Sequence, residues 1–257
     1  MSESTKDQIA VVTGGSRGIG AAISFRLAAD GFTVAVHYGR DEDAAAATVA
    51  AIKTAGGAAF SFRADLAADT AAEDFWAAFD KAAASAGVIG QPVQVLVNNA
   101  GVTLRGAIED FSREDFLTQQ AVNVNAPYFI VKEALPRLSD GGRIVNISSG
   151  VTRIAFPEII GYALTKGAID AFTLTLAKHL GRRGITVNAV APGVVDTDIN
   201  ASWLRGNEEA IEGVAASTAL GRVGQPDDIA SIVAFLASEG GRWVTGQTID
   251  ATGGTNL

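Results

Sequence analysis

The feature that most constrains this chain is a rhythm: short β-branched runs alternate with longer Ala-rich amphipathic stretches along its length. Seven runs read as strands: Ile9–Thr13, Thr33–Tyr38, Ala58–Arg63, Val93–Asn98, Arg143–Ser148, Thr186–Ala191 and Thr248–Asp250. Six stretches between them read as helices: Gly18–Asp30, Asp43–Ala55, Ala71–Ala86, Ser112–Leu138, Tyr162–Arg182 and Pro226–Ser238. Such alternation implies βαβ units, a parallel sheet and helices on both faces, the α/β class. Val93–Val97 and Ile144–Ile147 are nearly continuous apolar runs, as strands covered on both faces should be. At 257 residues, about half of them apolar, the chain fits one domain spanning 1–257, without repeats or a linker. The Ala-rich tracts read as surface helix, given their strong helix propensity. Pro192 to Gly224 is long, small, polar and charged, with no clear strand; a lid over a ligand is expected at about 193–224.

Composition excludes several chemistries. The absence of cysteine removes disulfides, thiolate metal sites and cysteine nucleophiles, and makes the cytoplasm the natural compartment. Met1 to Gln8 is short and polar, unlike a signal peptide, and no segment reaches the roughly 20 apolar residues of a membrane span. A formal net charge of −8 argues against nucleic acid as a partner. With only His37 and His179, a histidine-based zinc cluster lacks ligands, so no metal is expected. Each histidine reads as surface or core filler.

The first strand runs into Thr13-Gly14-Gly15-Ser16-Arg17-Gly18-Ile19-Gly20, which opens a helix. Glycines in that place let the backbone turn sharply and let a pyrophosphate approach amides at the helix start. The strand–turn–helix context lifts the motif above an ordinary glycine-rich loop. Farther on, Tyr162 and Lys166 are four apart and share one helix face. Alone, that spacing also describes a solvated surface. In chemistry, a phenol can give a proton to an alkoxide that forms as hydride reaches a carbonyl carbon, where nearby cations favour its ionised form. A Ser/His/Asp triad has no support, since neither histidine lies near a strand-to-helix turn bearing a serine.

Four motifs in order, the T-G-x-x-x-G-x-G turn, Asn98-Asn99-Ala100-Gly101, Tyr162-x-x-x-Lys166 and Pro192-Gly193, resemble the core-length short-chain dehydrogenase/reductases over essentially the whole chain. The resemblance implies a Rossmann-type doubly wound seven-stranded parallel sheet with a nicotinamide cofactor along its C-terminal edge. It implies that Gly14, Ser16, Arg17, Ile19 and Gly20 line the pyrophosphate and ribose. Asp65 matches the acceptor of the adenine amino group, with Leu66 beside it. Asn99 and Gly101 match ribose neighbours, although Asn98 and Asn99 equally suit bracing of the central strand. Val195 and Thr197 match positions that hold the carboxamide. Ser149, thirteen before Tyr162, matches the serine that orients the carbonyl, with Ser148 its neighbouring rival. Asn123 matches the asparagine that holds a water between Lys166 and solvent; an asparagine inside a helix is unfavourable on propensity and hints at a task. Asn125 reads as structural.

The second strand ends at Tyr38, Gly39 and Arg40, with no acid where NAD-specific members carry one for the ribose 2′-hydroxyl. Arg17 and Arg40 flank that pocket, so NADP(H) is the expected cofactor. Asp41 to Asp43 suit the dipole of the following helix, or could pair with Arg40. The implied reaction is reduction of a ketone to a secondary alcohol; the alternatives are an NAD-linked alcohol dehydrogenase, a 3-oxoacyl-carrier-protein reductase and a non-catalytic cofactor-binding sensor. Ser139-Asp140-Gly141-Gly142 lacks the cation of carrier-docking members, while Arg182 and Arg183 remain. Residues Val151 to Phe156 and the lid around Asn200–Val214 would enclose the substrate. Ile154, Phe156, Trp203 and Leu204 suggest an apolar wall for a medium-sized ketone, or else core or subunit packing. In the family, such a chain ending soon after Gly253-Gly254 implies a homotetramer.

Overall fold

The rhythm resolves into one seven-stranded sheet in a computed structural model that describes residues 8–257. The stretch Met1 to Asp7, which carried the argument against a signal peptide, lies outside the described residues. The strands β1 (Ile9–Val12), β2 (Thr33–Tyr38), β3 (Ala58–Arg63), β4 (Val93–Asn98), β5 (Leu138–Ile147), β6 (Thr186–Pro192) and β7 (Thr248–Ala251) are all parallel. Their order is β3-β2-β1-β4-β5-β6-β7. Sequence order reverses between β1 and β4, and the crevice beyond the carboxyl ends there is where open α/β sheets bind ligands.

Pleating sends alternate side chains to opposite faces, so one strand feeds two cores. Ile9 and Val11 join Leu96, Ile144 and Val187 beneath α3 (Ala71–Ser85), α5 (Ala126–Ala134) and α6 (Ile160–Leu180). Ala10 and Val12 join Val34, Val97, Val145 and Val190 against α1 (Gly18–Ala29) and α9 (Pro226–Ala237). β1, β2 and β6 are buried throughout. Full burial of one such aliphatic or aromatic side chain stabilises by about 1.5–3 kcal/mol, so these layers fix the strand ends that carry the site. α2 (Glu42–Thr54) is capped by Asp41, whose carboxylate accepts from the Ala44 amide at 2.9 Å.

Three expectations need correction. The helix expected over Ser112–Leu138 is present but irregular and shorter: α4 (Arg113–Gln120) passes without a break through a π-helical turn at Ala121–Asn125 into α5, which ends at Ala134. Pro136 has no amide to continue the helix. β5 then begins at Leu138, five residues before the expected start, with a register shift opposite Val93/Val95 and Gly141 at φ 75°. The segment expected to be irregular holds two helices, α7 (Asp198–Leu204) and α8 (Glu208–Ser217). Other element ends shift by a residue or two, as fraying ends do.

Candidate active site

The crevice at the strand carboxyl ends is a cavity of about 900 Å³, large enough for a cofactor-sized ligand. Of the residues singled out from sequence, Gly14, Ser16, Arg17, Ile19, Gly20, Tyr38, Gly39, Arg40, Asp65, Leu66, Asn99, Gly101, Ser149, Tyr162, Lys166, Val195 and Thr197 all line it. Asn123 does not; it lies buried just behind.

At one end, the glycine turn is shaped by backbone crowding. Gly14 takes φ +60°, and a Cβ on Gly20 would fall 2.0 Å from the Gly14 oxygen. No side chain fits there, which is why the motif demands glycine. Thr13 ties the turn to β4: its hydroxyl accepts from the amides of Asn99 and Ala100, both at 2.9 Å. The Asn99 side chain donates to the carbonyls of Thr13 and Gly14, at 2.8 and 3.1 Å, and the Asn98 side chain donates to Asn146. Both asparagines therefore brace strands, and Asn99 faces the cavity as well. Asp65 accepts from the Ala67 amide at 3.0 Å.

Charge at this end is unevenly engaged. Arg17 lies 3.9 Å from Asp198 across exposed surface, a separation worth little. Arg40 forms no ion pair among the described residues, with Asp41 or with Glu42. Tyr38, at the position expected to carry an acid in NAD-specific members, is buried; burial pushes its phenol up from the ordinary value, aided by Glu42.

At the other end, α6 presents Tyr162 and Lys166 on one face. The Lys166 ammonium is buried, donates to the Ile147 carbonyl at 2.7 Å and lies 5.5 Å from the Tyr162 ring centroid. Ser149 follows β5, and its hydroxyl oxygen faces the Val151 amide at a long 3.4 Å. The neighbouring Ser148 hydroxyl is buried without a partner. Asn123 sits within the π-helical turn, a feature that often marks functional positions. It accepts from the Val102 amide at 2.9 Å and donates to the Val102 carbonyl and the Thr165 hydroxyl. A Cβ on Gly101 would lie 3.3 Å from the Asn123 oxygen and 3.7 Å from the Lys166 nitrogen, so these three residues converge.

The side of the cavity expected to receive the substrate is formed by side chains from several segments. Val151, Ile154, Phe156 and Trp203 line the cavity, whereas Thr152, Arg153 and Ala155 do not. Arg153 instead pairs with Asp250 at 2.7 Å. Leu204, expected in the apolar wall, is 2 % exposed and belongs to the interior. Sequence reasoning missed Arg105, whose guanidinium lies 5.8 Å over the Trp203 ring and 3.7 Å from Glu158. Arg105 carries no motif signal. Asn200, expected at the start of the segment over the substrate, lines the cavity, accepts from the Trp203 indole at 3.2 Å and donates to the Val195 carbonyl. His37, read as filler, proves to be core and to touch the glycine turn, donor and acceptor at once. Among the described residues, no cluster of metal-ligating side chains occurs and no helix is long and apolar enough to cross a membrane.

A family model described as enoyl-(acyl carrier protein) reductase matches residues 14–256. The chain is 42 % identical to an uncharacterized oxidoreductase of Methylorubrum extorquens, over 96 % of this chain and 97 % of the other. The angucycline C-6 ketoreductase LanV, solved with bound NADP, superposes with a TM-score of 0.92 at 43 % identity, covering 99 % of this chain and 97 % of its own. The promiscuous reductase LugOII, which catalyses keto-reduction at C1 during lugdunomycin biosynthesis, gives the same TM-score of 0.92 and identity of 43 %, covering 99 % and 100 %.

Proposed function

The chain belongs to the short-chain dehydrogenase/reductase family and is an oxidoreductase, and from that premise we propose that it reduces a ketone to a secondary alcohol with NADPH. The observation that carries this reading is a buried lysine cation beside a tyrosine ring, at one end of a cavity whose other end presents two arginines. The residues fit the cofactor: the glycine turn has no room for a side chain at Gly20, and Arg40 has no ion-pair partner among the described residues. Gly14, Ser16, Ile19 and Gly20 would line the pyrophosphate, Arg17 and Arg40 the 2′-phosphate, Tyr38, Gly39, Asp65, Leu66, Asn99 and Gly101 the adenosine, and Val195 and Thr197 the carboxamide. Bound there, NADPH supplies the hydride that the carbonyl carbon receives. The similar ketoreductase LanV, solved with bound NADP, supports this assignment.

The chain's own residues handle the proton. Ser149 donates its hydroxyl hydrogen to the substrate oxygen, since its own oxygen is only loosely engaged by Val151. Tyr162 gives its proton to the forming alkoxide, which becomes the alcohol. The Lys166 charge stabilises the phenolate left behind. Asn123 fixes the π-helical turn against Val102 and Thr165, beside Gly101 and Lys166, where a water could return the proton from solvent. The lid spans about 193–224, its α7 and α8 closing the ketone side with Trp203 and Val214.

Ile154, Phe156 and Trp203 suit a medium-sized, partly apolar ketone. A ketone panel assayed for NADPH consumption tests the proposal; a panel in which only sugars or hydroxy acids react would refute the apolar pocket, and one with no consumption at all would refute the reductase reading. The carrier-protein alternative is weakened by Arg183, which pairs with Asp140 at 2.8 Å and caps the Leu135 and Leu138 carbonyls. A higher kcat/KM for a carrier-linked β-ketoacyl substrate than for its free thioester would restore it. An NAD-linked dehydrogenase would show itself by preferring NAD; a sensor would bind NADPH and turn over nothing.

The exposed apolar side chains Tyr128 on α5, Leu164 and Leu174 on α6, and Trp243 before β7, which is 95 % exposed, fit a homotetramer. Light scattering at micromolar protein should give four times the chain mass; a monomer mass refutes it.

A further inference from the structure

We propose that His37 is a positioning residue of the cofactor site, holding the glycine turn in the shape that receives the nucleotide. His37 is the fifth residue of β2 and is 2 % exposed. Its Nδ1 accepts from the Gly14 amide at 3.1 Å, and its Nε2 lies 3.1 Å from the Ala64 carbonyl. A carbonyl can only accept, so the ring proton is on Nε2 and the imidazole is neutral. The His37 carbonyl also accepts from the Gly15 amide, at 2.9 Å. One residue thus joins the turn after β1, strand β2 and the end of β3. Phe62 and Phe75, with ring centroids 5.5 and 5.1 Å away and both tilted, hold the imidazole plane. Burial pushes its pKa down to about 4, which agrees with the neutral acceptor seen in the geometry.

The consequence is a division of labour among the turn's amides. Those of Gly14 and Gly15 point inward and are consumed by His37. The amides of Gly18, Ile19 and Gly20, at the start of α1 and ahead of the first bond from Ala21 to the Arg17 carbonyl, have no backbone acceptor and remain for the nucleotide phosphates. Without the imidazole, the half-buried Gly14 amide loses its acceptor, and the turn relaxes toward whatever partner it can reach. Gly14 has little freedom to do so without loss, being confined at φ +60° between Ala100 and Asn99. A phenylalanine would preserve the ring and its aromatic neighbours yet supply no acceptor. An asparagine places its amide oxygen near the position of Nδ1 and so keeps the bond to Gly14, while giving up Ala64. A glutamine does the reverse.

This inference rests on the reading of the crevice as an NADPH site, and it is tested by binding in the absence of ketone. NADPH is titrated into wild type, His37→Phe, His37→Gln and His37→Asn, each first checked for cooperative thermal unfolding. The Phe and Gln variants should bind NADPH about tenfold more weakly, the cost of one half-buried donor left without its acceptor. The Asn variant should stay within about threefold of wild type. With a reactive ketone, the Phe variant should show a raised KM for NADPH and a near-normal kcat at saturation. Amide exchange at Gly14 should quicken in Phe and Gln and not in Asn. Equal affinity in all four proteins, or equal loss in Phe and Asn, would overturn the positioning role. If Phe does not fold, the Gln–Asn contrast decides alone. A wild type that binds NADPH but reduces no ketone would defeat only the reductase reading; one that binds no NADPH would defeat both.

Discussion

The two ends of the cavity are built by different means. At the nucleotide end, geometry is set by backbone: a glycine turn too crowded for a side chain at Gly20, amides taken by His37 and Thr13, and strand ends locked by two cores. At the ketone end, geometry is set by side chains from the segment after β4, the turn before α6 and the helices after β6, bridged by Arg105, Glu158 and Trp203 at half-exposed positions. Backbone demands specific residue types and leaves a motif. A surface of interchangeable apolar side chains leaves none. The first end should therefore tolerate little change and the second should adjust, a contrast that measurements can break or sharpen.

The largest effect is expected at the Tyr162–Lys166 pair. Tyr162→Phe keeps the ring under Lys166 but removes the proton, and kcat should fall by about 10²–10⁴-fold with NADPH affinity nearly unchanged. Near-wild-type turnover would end the assignment. Next come the arginines: Arg17→Ala and Arg40→Ala should each lower kcat/KM with NADPH by roughly ten- to a hundredfold and leave NADH little affected. Equal losses with both cofactors would mean that these residues support the turn and not the 2′-phosphate.

A third effect concerns stability at the rigid end. His37 has a folded-state pKa of about 4 against 6.5 in an unfolded chain. Between these values the unfolded state binds the extra proton, so stability is intact above pH 6.5 and declines as pH falls toward 4. The slope approaches about 1.4 kcal/mol per pH unit, tenfold in the folding constant. Urea unfolding of wild type and His37→Asn at pH 7 and pH 5 should show the larger loss in wild type. Identical losses would mean that His37 is not buried neutral. The smallest effect belongs to the adjustable end: Trp203→Ala should change ketone KM values by roughly fivefold, differently for different ketones, with kcat and NADPH KM held. A hundredfold loss for every ketone would make the lid as exacting as the turn.

The same contrast explains what the sequence discloses. The order of strands and helices, the glycine turn and the Tyr162–Lys166 face are readable because each imposes a residue type or a period. The π-helical turn at Ala121–Asn125 is not, because one extra residue in a helix leaves the apolar pattern almost unchanged; only Asn123, unwelcome on propensity, hints at it. Pro136 did mark the end of α5 before Leu138. α8 also had a signal: Asn207 accepts from the Ala210 amide at 3.2 Å, followed by Glu208 and Glu209 in the first turn. His37 could not be placed, since its partners Gly14 and Ala64 become neighbours only when β1, β2 and β3 lie side by side. Leu204 shows the converse, an apolar residue of α7 that turns into the interior and away from the cavity.

The central claim, that the backbone-built end selects the phosphorylated cofactor and the reductase runs on it, is tested most directly by one comparison. It is kcat/KM of the wild-type enzyme for NADPH and for NADH, at saturating ketone and fixed salt. Two guanidinium contacts to the 2′-phosphate, with no acid at Tyr38 to reward a bare hydroxyl, predict a preference for NADPH of about a hundredfold or more. Equal efficiency with the two cofactors, or a preference for NADH, would contradict the account.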